Sequence, residues 1–256
     1  MQGAVDGLCR GPKPLSVVPV LLPGNMCDAR LWRGDSDILL ATLLRHGLPD
    51  PHDADLTQDS SIAEMAARTL ATVRGRILPI GFSMGAIVAV EMWVQAPQRV
   101  AGIVLLGYNA TADLPERAAH RPAQQAEIIA GGLKRVLVEE LKPNYLAARH
   151  RSNAPLLILL RDMGLALGAD VFVRQSEALR LRADRRDVLP HVAAPVLIGC
   201  GQEDKLCPPA WHANWANLLP YADAFSVAGA GHMLPLEAPQ ILSRHLDRWL
   251  AAKEIA

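Results

Sequence analysis

The chain has 256 residues, of which 50% are apolar and 20% charged, with Lys and Arg balanced by Asp and Glu to a formal net charge of zero. That is enough chain for one domain with a large core and room for an insertion. No apolar run reaches the length of a membrane span, and no basic surplus points to nucleic acid or an anionic membrane. The first fifteen residues lack a basic start followed by an apolar stretch, so they read as a leader rather than a secretory signal. Cys9, Cys27, Cys200 and Cys207 are too scattered for a disulfide framework and show no paired metal spacing, so a reduced, cytoplasmic setting is expected.

Residues 16–22 (SVVPVLL) form the first β-branched run, which ends at Pro23-Gly24. Helical spacing follows over 38–46, and 48–56 has room for a short polar strand. Ser60 or Ser61 caps a helix, with Glu64 placed as in a capping box and Ile62, Met65, Ala66 and Leu70 on one face. Residues 76–82 read as a buried strand, 84–96 as an apolar helix and 100–108 as another buried strand. Residues 112–187 contain no good strand and several helical stretches. Alternation resumes with a strand at 195–201, a helix at 211–218, a short strand at 224–228 and an amphipathic helix at 237–251. Alternating strands and helices predict a mostly parallel sheet covered on both faces. The expected division is a core of 1–111 and 188–256 with a helical lid of 112–187 over the sheet's C-terminal edge. Pro19 and Pro79 argue against their strands, because proline cannot donate to a ladder.

The strand at 76–82 runs into Gly81-Phe82-Ser83-Met84-Gly85, a G-x-S-x-G between strand and helix. That arrangement is a nucleophile elbow, in which a strained turn lifts the serine off the sheet edge. A serine hydroxyl needs a base, and the base needs a carboxylate to fix its tautomer. Asp204 follows the strand at 195–201 and His232 follows the last strand, so both fall on the same sheet edge as Ser83. The other seven histidines (His46, His52, His120, His150, His191, His212, His245) read as solvated. Glu203 is expected to point elsewhere, and Asp113 is the substitute acid. An oxyanion hole needs two N–H donors: Met84 supplies one, and Asn25, in the Pro23-Gly24-Asn25-Met26 loop, is the choice for the other, with Met26 second. Phe82, Met26 and Met233 flank the nucleophile and are expected to bind substrate, giving a deformable apolar wall. No motif sets Lys or Arg beside Ser83, and Arg174, Arg180, Arg182, Arg185 and Arg186 read as a solvated face. Uncharged esters with short to medium acyl groups are therefore expected.

Together these residues resemble the α/β-hydrolase superfamily, in the elbow at 81–85, the acid loop G-x-x-D-x-x-x-P at 201–208 and the Gly231-His232 pair. The superfamily's oxyanion loop reads H-G-x with Trp seven residues on; here Pro23-Gly24-Asn25 and Trp32 keep the spacing, with Pro23 in place of His. Residues 21–32 and 172–184 also resemble a bacterial subgroup of carboxylesterase-like hydrolases. The resemblance implies an α/β-hydrolase fold, with the usual leading antiparallel hairpin truncated or absent. It implies a serine esterase with no metal or organic cofactor, acting on a small-molecule ester as a monomer or homodimer, without nucleic-acid or membrane partners. Ser83 excludes the aspartate-nucleophile dehalogenases and epoxide hydrolases of the superfamily. Lactonase, thioesterase, perhydrolase and carbon–carbon hydrolase activities share the same triad, and a ligand receptor that retains it is the reading from another class.

Overall fold

The computed structural model describes residues 17–33, 37–141 and 145–255. Six parallel strands run β1 (Val18–Leu22), β2 (His52–Asp53), β3 (Ile77–Phe82), β4 (Ile103–Leu106), β5 (Val196–Gly201) and β6 (Ala222–Val227). Their spatial order is β2-β1-β3-β4-β5-β6, so the chain direction along the sheet reverses once, beside β1. No described strand is antiparallel. The expected leader, Cys9 and Ser16 lie outside the described residues.

The central strands are apolar on both faces because both are covered. Val20, Leu22, Ile77, Ile103, Leu105, Val196 and Ile198 pack with α2 (Ile62–Thr72), α3 (Met84–Gln95) and α7 (Pro209–Leu218). Leu21, Leu78, Ile80, Val104, Leu106 and Leu197 pack on the other face, with α1 (Ile38–Arg45) and α9 (Pro239–Lys253). The closing helix expected at 237–251 is split, because Pro239 starts α9 anew after the short α8 (Leu234–Glu237). Ser61 caps α2 as its sequence implied, accepting the Glu64 N–H at 3.2 Å. The Glu64 carboxylate returns to the Ser61 hydroxyl at 2.8 Å.

Both awkward prolines sit where the ladder asks nothing of them. Val18 donates to Arg76 O toward β3, so by alternation the Pro19 nitrogen faces β2, whose pairing starts only at Val20. Ser83 donates to Leu106 O toward β4, so the Pro79 nitrogen also faces β4, just before that strand begins at Ile103.

Between β4 and β5 the chain is helical: α4 (Pro115–Glu127), widened turns through 141 around the three-residue α5 (Leu133–Arg135), and α6 (Ala154–Arg180). Helix α6 is broken at Gly168, whose φ of 83° only glycine adopts without strain. Val171 and Phe172 of α6 pack with Ile128, Val136 and Leu137 onto Met26 of the loop after β1. This block therefore rests directly on the sheet's C-terminal edge.

Gly85 marks the tightest approach in the fold, since a Cβ there would overlap the Leu22 carbonyl at the end of β1. Leu22 ends β1, which is paired on both sides, so any relief would have to come from a shift of α3. Gly85→Ala should cost about 3 kcal/mol or more, which in a domain of this size lowers Tm by roughly 6–12 °C. A thermal melt within about 2 °C of the parent would show that α3 can slide.

Candidate active site

Ser83 lies between β3 and α3 with φ 52° and ψ −114°, a conformation few non-glycine residues adopt. Gly81 makes the turn possible, because a Cβ there would collide with the backbone of Gly85 and Ala86. The Ser83 N–H donates to Leu106 O at 2.8 Å, and its carbonyl accepts from Ala86 and Ile87 in the first turn of α3. The backbone is thus held at both ends without help from the side chain.

The three residues that the spacing brought to one edge are in contact. His232 Nε2 lies 3.0 Å from Ser83 Oγ, and His232 Nδ1 lies 2.8 Å from Asp204 Oδ2. Asp204 Oδ1 accepts the backbone N–H groups of Leu206 and Cys207 at 2.9 and 2.8 Å. Burial alone would raise the Asp204 carboxyl, but His232 and the Cys207 N–H outweigh it and hold it below the ordinary carboxylate range. An ionised Asp204 fixes the proton of His232 on Nδ1 and leaves Nε2 as the acceptor for the serine hydroxyl. The imidazole is clamped as well. Its backbone N–H donates to Tyr145 O at 2.8 Å, and its ring stands 5.0 Å from the Phe82 ring and 6.0 Å from the Tyr145 ring. Buried Glu237 supports the loop from below, accepting the Gly231 N–H on one oxygen and the Ala147 N–H and His150 Nδ1 on the other. Such a chain can draw a proton from the serine oxygen and return it to a leaving group.

Glu203 turns away, as expected, to accept the Ala148 N–H. Asp113 is not poised as an acid for His232: its carboxylate is held by Arg121 and Arg182. His212 corrects the expectation of a solvated ring. It is 3% exposed, accepts the Tyr108 N–H on Nε2 at 2.9 Å and lies 3.3 Å from Pro208 O through Nδ1. Burial pushes its pKa down to about 4, so it stays neutral while tying the end of β4 to the acid loop.

On the other side of Ser83, Met84 opens α3, so its N–H has no intrahelical acceptor. Asn25 lines the same cavity, and its backbone N–H has no acceptor among the described residues. Met26 does not. Its N–H donates to Gln175 Oε1 at 2.8 Å, and its side chain is buried against the helical block and does not line the cavity. The expectation that Met26 binds substrate is therefore corrected: its side chain packs with Ile128, Val136, Val171 and Phe172 of the helical block instead. Gln175, on α6, also accepts from Asn25 Nδ2 at 3.2 Å and donates to Leu56 O at 3.1 Å. It thereby supports a loop that carries Pro23 in place of the superfamily's histidine. No local motif signals it; only the fold brings residue 175 to residue 26.

Ser83, Phe82, Met84, His232 and Met233 share a cavity of about 540 Å³. Its far wall comes from the helical block and includes Arg117, His120, Arg121 and Arg182. Two expectations change here: Arg182 is 8% exposed rather than solvated, and cationic side chains do line the cavity. Arg174 and Arg185 are also engaged, with Thr57 O and Glu91. Burial pushes the thiols of Cys27 and Cys200 up to about 12 and raises that of Cys207, so none competes as a nucleophile. No group of three metal-ligating side chains occurs among the described residues.

The sequence pattern of the alpha/beta hydrolase family matches residues 20–244. The chain belongs to the alpha/beta hydrolase family. It is 29% identical over 222 residues to a pimeloyl-[acyl-carrier protein] methyl ester esterase of Xanthomonas oryzae pv. oryzae, covering 83% of this chain and 84% of that one. It is 26% identical over 217 residues to a 2-(acetamidomethylene)succinate hydrolase of Mesorhizobium japonicum, covering 81% and 76%. A thermophilic esterase from Thermogutta terrifontis has the same fold, with a TM-score of 0.81, 23% identity and coverage of 93% and 91%. Membership of the family makes the chain a hydrolase, and no helix among the described residues is long and apolar enough to cross a membrane.

Two tests follow from this geometry. Gln175→Ala should loosen the Asn25-Met26 loop of this hydrolase and lower kcat by roughly tenfold to a hundredfold with KM nearly unchanged. A lower Tm with unaltered kcat would make Gln175 merely structural. For His212, the unfolded ring titrates near its ordinary value of 6.5 and the folded one near 4. Between those values the unfolded chain binds the extra proton, so stability is fully present above pH 6.5 and falls as the pH drops, by about 3 kcal/mol in all. Urea unfolding should show that slope, and His212→Asn should flatten it; an equal slope in both would contradict the assignment.

Proposed function

We propose that this hydrolase cleaves small carboxylic esters through an acyl-enzyme formed on Ser83. The observation that carries the reading is the unbroken hydrogen-bonded chain from Ser83 Oγ through His232 to Asp204 at the wall of the cavity. In this reading Ser83 Oγ attacks the carbonyl carbon while His232 Nε2 takes its proton. The resulting oxyanion is held by the N–H groups of Asn25 and Met84, the two donors without acceptors beside the serine. His232 then protonates the departing alcohol, and the same residues activate water to release the acid. Asp204 stays ionised throughout and stabilises the imidazolium. Residues 112–187 act as the lid, closing the cavity over the ester. The esterase name of the Xanthomonas relative favours an ester over other carbonyl compounds.

The preference for uncharged esters expected from the sequence is withdrawn, since it rested on the absence of cationic residues near Ser83. Ser83→Ala should lower kcat on a p-nitrophenyl ester by at least about four decades with the fold intact by circular dichroism. A clean preparation that kept wild-type kcat would sink the proposal. Asp204→Asn should cost roughly two to four decades in kcat through loss of imidazole orientation, with KM little changed. A loss confined to KM would give Asp204 a different role.

A further inference from the structure

Helix α4 turns an unusual face to the cavity. Arg117, His120, Arg121 and Gln124 all line it, at the i, i+3, i+4, i+7 spacing of one helical stripe. A helix closing over an apolar substrate would put apolar residues on that stripe; this one puts none there. Phe82, Met84, Ile87, Leu179 and Met233 give the same cavity an apolar lining as well. The cavity is therefore mixed in character, greasy beside the serine and cationic under α4.

The charges on that wall do not cancel internally. Asp113, with its side chain 1% exposed, serves two guanidiniums, Arg121 at 2.6 Å and Arg182 at 2.8 Å. Arg182 is a strut: it also donates to Thr111 O, Ala112 O and Leu179 O. Arg121 donates to Asp113 through Nε and Nη2, so its Nη1 has no acceptor among the described residues. Arg117 has neither an acceptor nor an ion pair among them. Glu140 lines the cavity too, but its oxygens are taken by Arg135 and Gln124, with His120 at 3.9 Å. Arg117 and Arg121 thus stand at i, i+4 with like charge, an arrangement that costs a helix a few tenths of a kcal/mol. Burial raises the Tyr145 phenol and these two arginines oppose it, which places both within electrostatic reach of the ring that flanks His232.

We propose that Arg117 and Arg121 form a subsite for a carboxylate carried by the substrate itself, remote from the ester carbonyl held at Ser83. The inference rests on the ester-hydrolase reading of the same cavity and adds the class of substrate: half-esters of dicarboxylic acids and their like. A carboxylate accepts guanidinium forks in their own plane, and it relieves the repulsion between the two arginines. A neutral chain in its place leaves their N–H groups facing methylene carbons.

The test compares p-nitrophenyl hydrogen glutarate with the neutral p-nitrophenyl pentanoate. Charge-assisted hydrogen bonds predict a kcat/KM ratio of about ten to a hundred in favour of the anion. Arg117→Gln, at an exposed and unpaired position, should cut that ratio severalfold without a folding defect, and added salt should do the same. A ratio near one, or a ratio that Arg117→Gln leaves untouched, overturns the subsite. Calorimetry on Ser83→Ala with monomethyl and dimethyl glutarate reads the site without chemistry. Tighter binding of the monoester, lost in Arg117→Gln, upholds the subsite even if neither ester is turned over, in which case the ester reading falls alone. Turnover of both glutaryl and pentanoyl esters with no binding preference leaves the ester reading and removes the subsite. Arg117-dependent binding of inorganic phosphate, with no discrimination between the esters, would mean a free-anion site and would also overturn the proposal.

Discussion

The turn at Ser83 is the constraint from which the site follows. A serine at φ 52° stores on the order of 1–3 kcal/mol of backbone strain. That strain persists because the surroundings over-determine it: the Ser83 N–H is bound to β4, its carbonyl to α3, and Gly81 and Gly85 let β1, β3 and α3 close to backbone contact. Release the turn and Oγ leaves His232, while the first N–H of α3 swings away from the place where charge would develop. The large apolar core on both faces of the sheet is what keeps that turn closed.

The helical block between β4 and β5 is more than a cover. Gln175 ties down the loop after β1, accepting the Met26 N–H and the Asn25 side-chain amide. Tyr145 O accepts the N–H of His232, and Glu237 ties the base loop to Ala147. Both sides of the serine are therefore fastened to residues of the block, so its removal would disturb the geometry of the site. The same block brings Arg117 and Arg121 to the cavity that holds Ser83.

Much of this was legible in the sequence because it is local or periodic. The elbow is five consecutive residues, and Asp204 and His232 each follow a strand whose place in the alternation fixes their edge. The parallel sheet and its covering helices were readable from the same alternation. What could not be read depends on contacts between distant segments. Gln175 meets Met26 across 149 positions, and nothing near either residue marks the pair. His212 looked like a polar helix residue, yet α7 packs it against β4, where the Tyr108 N–H needs an acceptor. The arginines of the block looked solvated because charge on a helix usually is; Asp113, at the start of the block, buries Arg182 instead. Pro19 and Pro79 misled in the opposite direction, since sequence does not show which way a strand nitrogen faces.

The central claim is that Ser83 alone is activated, by the fold rather than by its chemistry. Labelling with a fluorophosphonate, followed by peptide mass spectrometry, tests it most directly. The account predicts one adduct per chain, on Ser83, and none after unfolding in urea. An unlabelled protein, or an adduct on another serine with Ser83 unmodified, would contradict it.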